Sequence, residues 1–299
     1  MEFTKTAISI SEQIELLKSR GMQITDYNKA CHYLSNISYY RLSAYWFTFL
    51  KKPQNLHVFI EGTTFDKVKS TYIFDRKLRL LIFDEIERIE IAIRTQLIYH
   101  YTLAYGNNWY EDSLHYRHQD LCEKLVRIFK KEMDGTNETF IKHYKSKYFS
   151  PENPPAWMTI EIASFGQLSM LFKNLRTCDA RKATAKHFGV SEIVLESWLE
   201  TLSFVRNTCA HHSRLWNRKL PKRPIIPDRA ADKWLEILPE TDKLNRIYIV
   251  LSIIRYMIKR INPGTTFPSR LKQLLSDYPE IPLHYMGFPN EWEGDKFWL

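Results

Sequence analysis

Apolar residues recur every three or four positions along most of this chain, the spacing that gathers them on one side of a helix. Only nine glycines interrupt 299 residues, so the pattern predicts an all-α protein. A first helix is expected over 11–20, with Ser9 as N-cap, Glu12 completing a capping box and Gly21 ending it. A short helix follows Thr25, and then the aromatic-dense stretch NISYYRLSAYWFTFL (36–50), which Pro53 stops. The longest periodic run, 64–105, pairs Asp and Glu against Arg and reads as one long helix, or two in line, that Gly106 terminates. Amphipathic segments at 118–133 and 137–148 precede a proline-rich loop, SPENPPAW (150–157). Ser164 and Gln167 form a second capping box before a helix to about 175. Helices are predicted over 179–188, 191–212, 240–261 and 269–277, with PKRPIIP (221–227) as a connector. The tail IPLHYMGFPNEWEGDKFWL carries too many large apolar side chains to hang free, so it is expected to lie on the body.

Composition narrows the class. A hydrophobic fraction of 44% and an aromatic fraction of 14% exclude a disordered chain. The net charge of +9, from 43 basic and 34 acidic residues, favours an acidic partner such as RNA, DNA or an anionic surface. Cys31, Cys122, Cys178 and Cys209 stand far apart with no CxxC pair, which excludes a disulfide framework and a zinc ribbon. The first residues show no basic-then-apolar signal pattern. The most apolar stretch, 247–258, is too short to span a bilayer and contains Arg255. A soluble cytoplasmic protein with reduced thiols and no membrane partner is the expectation.

Chemistry concentrates in SFVRNTCAHHSRLWNR (203–218), which follows an apolar helical run. Wound as a continuous helix from Arg206 at zero, Asn217 falls at roughly 20°, Arg214 at 80°, Asn207 at 100°, Arg218 at 120° and His211 at 140°. That wedge holds cations, amides and an imidazole, with no carboxylate, while Val205, Cys209, Leu215 and Trp216 face the other way. Such a face suits a phosphate-bearing ligand. Asn207 and His211, four apart, are neighbours, and an amide beside an imidazole orients the ring. A solvated helix face is the plain alternative, but such faces normally mix Lys with Glu, and this wedge has neither.

RNTCAHHSRLWNR resembles the RN-x3-HH-x-R-x-WN signature of abortive-infection (Abi) proteins of the AbiD/AbiF type, within the HEPN superfamily defined by R-x(4–6)-H. ISYYRLSAYW (37–46), FDRKLRLLIFDEIERIEIAIRTQL (74–97), PPAWMTIEIASFGQLSMLFKNL (154–175) and MGFP with its following Trp (286–292) resemble the same family. The bare spacing is not specific, since Arg94–His100 and Arg181–His187 satisfy it without the adjacent Asn. Those two are read as a core-edge pair and a solvated helix face.

The resemblance implies a HEPN-like helical bundle over 61–262, with an N-terminal helical and aromatic segment (1–60) and a tail (263–299) holding one short helix. It implies a metal-independent endoribonuclease of phage defence, without a cofactor. The 2′-OH attacks the adjacent phosphate with His211 as acid/base, Arg206 as phosphate clamp and Asn207 as orienting group. One His and one Arg are few for this reaction, so a homodimer with a composite site is implied, together with RNA as substrate and a structured regulatory RNA or antitoxin as restraint. His212, on the far side of an ideal helix, is either accessory or a buried or interface histidine. Glu161 is either a partner of the motif arginine or a core-edge carboxylate. Arg214 and Arg218 are expected at the RNA backbone. In the aromatic stretch, Tyr40, Ala44 and Phe47 are expected to bury, which leaves Arg41 and Tyr45 for RNA. The competing function is a non-catalytic RNA-binding module holding a regulatory RNA or antitoxin partner, and a purely protein-binding partner of a toxin is a third.

Overall fold

The computed structural model describes Glu2 and residues 6–298, and among them there are twelve α-helices and no β-strand. They are α1 (Ile10–Ser19), α2 (Tyr27–Ile37), α3 (Tyr39–Trp46), α4 (Phe65–Tyr105), α5 (Gln119–Gly135), α6 (Thr139–Lys147), α7 (Ala156–Thr159), α8 (Phe165–Asn174), α9 (Asp179–His187), α10 (Glu192–Ala210), α11 (Ile247–Ile261) and α12 (Phe267–Asp277). The all-α reading is therefore correct. No helix among the described residues is long and apolar enough to cross a membrane.

Both capping boxes form. Ser9 and Glu12 exchange bonds at the start of α1, and Ser164 and Gln167 do so at the start of α8, each satisfying amide groups that a helix start leaves without partners. The run 64–105 is a single helix, α4, whose buried positions step Phe74, Leu78, Ile82, Ile86, Ile89, Ile93, Leu97, Tyr101.

The chain divides into two compact units. The first comprises residues 1–78 and 273–281, and the second residues 79–272 and 282–299. In the first, α2 packs against α1 and α3. The buried Asp75 carboxylate accepts the Tyr45 hydroxyl at 2.6 Å. In the second, α10 packs against α8, α9 and α11. Every residue of α11 from Ile247 to Ile258 is buried, and burial contributes about 1.5–3 kcal/mol for each large apolar side chain. The tail of the second unit lies on its core as expected. Met286, Phe288, Trp292, Phe297 and Trp298 are buried, and the Trp298 indole donates to the Tyr248 hydroxyl at 3.0 Å.

Two helices are shorter than their patterns predict. α10 stops at Ala210 because His212 takes a left-handed conformation (φ 54°). α11 starts at Ile247 rather than near 240. The residues before it are engaged elsewhere: the Leu220 amide donates to the Asn245 carbonyl, and the Arg246 guanidinium donates to Asn217.

Candidate active site

The last turn of α10 carries the motif. Val205, Thr208 and Cys209 are buried and fix its rotation, while Arg206 is one-third exposed and Asn207 is exposed. The Arg206 guanidinium donates from Nη1 to Asn207 Oδ1 at 3.4 Å, and its carbon lies 5.9 Å from the centre of the Phe83 ring. Its Nε is 3.8 Å from Glu90 Oε2, on α4. Glu90 also accepts from Arg94 Nη2 at 3.1 Å. Burial raises the Glu90 pKa, and Arg94 and Arg206 oppose that rise. The motif arginine is thus held from one side by a half-buried carboxylate and rests on an aromatic face, with its remaining edge open.

His211 is the residue that closes α10, and it is exposed. Its amide donates to the Asn207 carbonyl at 3.0 Å, so Asn207 is tied to His211 through the backbone. His212 follows in the left-handed region. Its amide bonds the Cys209 carbonyl and the Ser213 amide bonds the Thr208 carbonyl, each at 3.0 Å, which completes a left-handed helix cap. Glycine usually holds this place, and histidine is among the residues that tolerate it better than most. His212 is exposed, so a buried histidine is ruled out.

Beyond residue 212 the helical wheel does not hold. Asn217 turns back with φ 53°, and its carbonyl and side-chain oxygens accept from Arg246 Nη1 at 3.0 and 2.7 Å. Leu215 and Trp216 still bury, but as loop residues, and Trp216 meets Tyr285 edge-on with centroids 5.8 Å apart. Arg214 and Arg218 are half-buried, and Arg218 Nε donates to the Arg214 carbonyl at 2.6 Å. They sit on a folded loop that follows the helix, not on its face.

The secondary spacings resolve differently from one another. Arg94 is buried at the core edge and donates to the Ile160 and Ala163 carbonyls at 3.1 and 2.9 Å. Glu161 is exposed, with its carboxylate 3.9 Å from Arg94 Nη1. The acid beside the motif arginine is Glu90, not Glu161. Arg181, expected on a solvated face, is fully buried and bonds Glu192 and Glu196 at 3.0 and 2.6 Å. A nine-residue helix with two lysines gives no local sign that its arginine fills a slot lined by α10 carboxylates.

The aromatic segment has the opposite phase to that expected. Tyr45 is buried on Asp75 and cannot meet RNA, whereas Tyr40 is 88% and Phe47 50% exposed. Leu42, Tyr45 and Trp46 form the inward stripe, with Trp46 set edge-on to Tyr39 and Phe59. Aromatic residues all round α3 leave its rotation undetermined by pattern, and the buried Asp75 fixes it. Arg41 is exposed on α3, in the first unit.

Sequence reasoning missed Glu90 and Phe83. Both lie in a periodic helix far from the motif in the chain, and only their rotation on α4 reveals them. Among the described residues no group of three or more His, Cys, Asp or Glu gathers as for a metal ion.

Fold and site together define an all-α protein that presents an Arg–Asn pair and two exposed histidines where a helix ends. Residues 32–217, more than half of the chain, match the family model of Abi-like proteins, and the chain belongs to that family. No curated protein and no solved structure matches it.

Proposed function

We propose that this protein is a metal-independent HEPN-type endoribonuclease acting in abortive infection. Membership of the Abi-like family supports the abortive-infection role. The observation that carries the chemistry is the exposed end of α10, where Arg206 bonds Asn207 and the backbone of Asn207 holds His211. Arg206 clamps the phosphate and steadies the charge of the pentacovalent transition state. His211 takes the 2′-OH proton or returns one to the leaving oxygen, since an imidazole titrates near neutrality. Glu90 sets the angle of the arginine while leaving one edge of its fork for phosphate.

A single motif supplies one histidine at this position, so the reading includes a homodimer in which two copies share a cleft. The surface of α4 supports it: Phe83, over which the motif arginine lies, is exposed, and Leu80 and Ile91 on the same helix are exposed too, apolar side chains of the kind that self-associating surfaces carry. RNA is the substrate, and a structured RNA or an antitoxin is the restraint.

The test is labelled RNA incubated with purified protein in EDTA, wild type beside His211→Ala. The expected result is cleavage by the wild type alone, leaving 2′,3′-cyclic phosphate ends. A strict requirement for Mg²⁺ or Mn²⁺, or equal cleavage by His211→Ala, overturns it. Tight RNA binding without any cleavage returns the non-catalytic module. Light scattering and dilution of the active protein test the dimer, and full activity of a nanomolar monomer rejects the shared cleft.

A further inference from the structure

A second basic feature lies wholly after residue 217, outside the stretch that matches the family. A cavity of about 540 Å³ opens between the C-terminal half of α11, the start of α12 and the last residues of the tail. Its walls carry five cations, Arg255, Lys259, Lys272, Lys296 and Lys233, of which Lys233 is already paired with Glu236. The one acid in the lining among the described residues, Asp232, is already paired with Arg260. Lysines on a surface would mean little alone. Arg255 is the independent observation.

Arg255 is 7% exposed, projects from the most apolar helix of the chain and lines this cavity. Its Nε is buried with no hydrogen-bond partner, and among the described residues no carboxylate pairs with it. Its guanidinium carbon lies over the face of Phe297, 4.9 Å from the ring centre. A buried arginine without a partner is costly, because its desolvation is not offset by an ion pair or by accepting oxygens. Burial accordingly pulls its pKa down. A stacked guanidinium keeps its forked edge available, which is how arginine meets phosphate oxygens.

We propose that this cavity binds the polyphosphate group of a small soluble ligand such as a nucleotide. Four cations with no carboxylate partner among the described residues, against one neutralised acid, suit several negative charges close together, more than a single carboxylate supplies. The volume falls within the usual range for a small-molecule site. The rings of Tyr256 and Trp298 complete the wall, and both of their polar atoms are engaged elsewhere, with Gly189 and Tyr248. Both rings are almost wholly buried, so recognition rests on the phosphates. Arg255 binds at the closed end, and the lysines neutralise the outer phosphates. The site is separate from the α10 motif, so the ribonuclease reading stands or falls independently of it.

Isothermal titration calorimetry of the full chain with ATP, with inorganic tripolyphosphate and with a short 5′-hydroxyl RNA tests the proposal. Saturable 1:1 binding of ATP is expected, with tripolyphosphate of similar affinity and the RNA much weaker. Arg255→Met, which replaces the buried charge with an apolar chain of similar length, should weaken ATP at least tenfold. Lys259→Gln with Lys272→Gln lies on the rim, leaves the core intact and should weaken ATP about tenfold as well. Lys124→Gln with Lys182→Gln, elsewhere on the surface, should change nothing. Absence of saturable ATP binding up to millimolar concentration overturns the site. So does ATP binding that survives both the Arg255 and the rim variants. RNA binding as tight as ATP and lost in the same variants also overturns it, since the feature is then a backbone groove.

Discussion

Two arginines sit on either side of one carboxylate, and their roles separate by what else each touches. Arg94 holds Glu90 and two backbone carbonyls in the core, whereas Arg206 has only Glu90, Asn207 and an aromatic face, and keeps an open edge. Arg94→Ala leaves those acceptors without a donor and should cost about 3 kcal/mol of stability. Arg206→Ala should leave the melting temperature within a degree or two and cut RNA cleavage on the order of 10²–10³-fold. Arg206→Lys should lose nearly as much, because an ammonium cannot make the forked contact. Melting curves beside cleavage rates decide this, and a reversed assignment of the two effects refutes the site. His212 answers a different question. Its left-handed backbone predicts that His212→Gly holds or gains stability while His212→Ala loses about 1 kcal/mol, both with cleavage retained. Cleavage lost in the stable His212→Gly variant would make the side chain part of the chemistry.

Among the elements, the loop after α10 depends on the segment before α11 and on the tail. Asn217 is held by Arg246, and Gly287 of the tail sits against Arg246 with φ 83°. A Cβ on Gly287 would come within 2.7 Å of Arg246 Cβ and 3.1 Å of the Lys243 carbonyl. Gly287→Ala therefore combines a disfavoured backbone with a clash against main chain, and should cost roughly 2–3 kcal/mol. It should also disturb Arg214 and Arg218 through Asn217, weakening RNA binding and shortening its salt dependence. Chemical denaturation and a salt titration of RNA affinity measure both. Asn217 and Gly287, far apart in the chain, thus close on the same arginine.

At the scale of the molecule, pH stability follows from three partly covered imidazoles, His100 and His115 half-buried and His187 at the surface. Burial lowers the pKa of His100, His115 and His187, and for His187 the nearby Arg260 and His100 lower it further. A lowered pKa means the folded chain binds fewer protons than the unfolded one. The stability these groups contribute is whole above about pH 6.5 and drains as pH falls through their folded values. Glu85 and Glu90, raised by burial, act in the opposite sense, gaining stability as they protonate. Melting temperature should be flat from pH 8 to 7 and fall between about 6.5 and 5. The triple variant His100→Gln, His115→Gln, His187→Gln should flatten that fall. An unchanged acid limb in the triple variant rejects the histidine account.

Much of this protein was determined along the chain itself. Helical periodicity, few glycines and two capping boxes are local facts, so the all-α class, the span of α4 and the starts of α1 and α8 were legible. The motif Arg206–Asn207–His211 was legible too, because three residues within one and a half turns keep their relation wherever the helix lies. What lay beyond was decided by contacts between distant segments. The buried Asp75 set the rotation of α3 and turned Tyr45 inward. Arg246 drew Asn217 off the helical wheel, and Glu90 supplied the carboxylate that the motif lacks. Arg181 and Arg255 look alike as basic residues on helices, yet one meets two carboxylates and the other a cavity. A periodic pattern states which residues share a face. What that face meets is a long-range packing result, and only the folded chain supplies it.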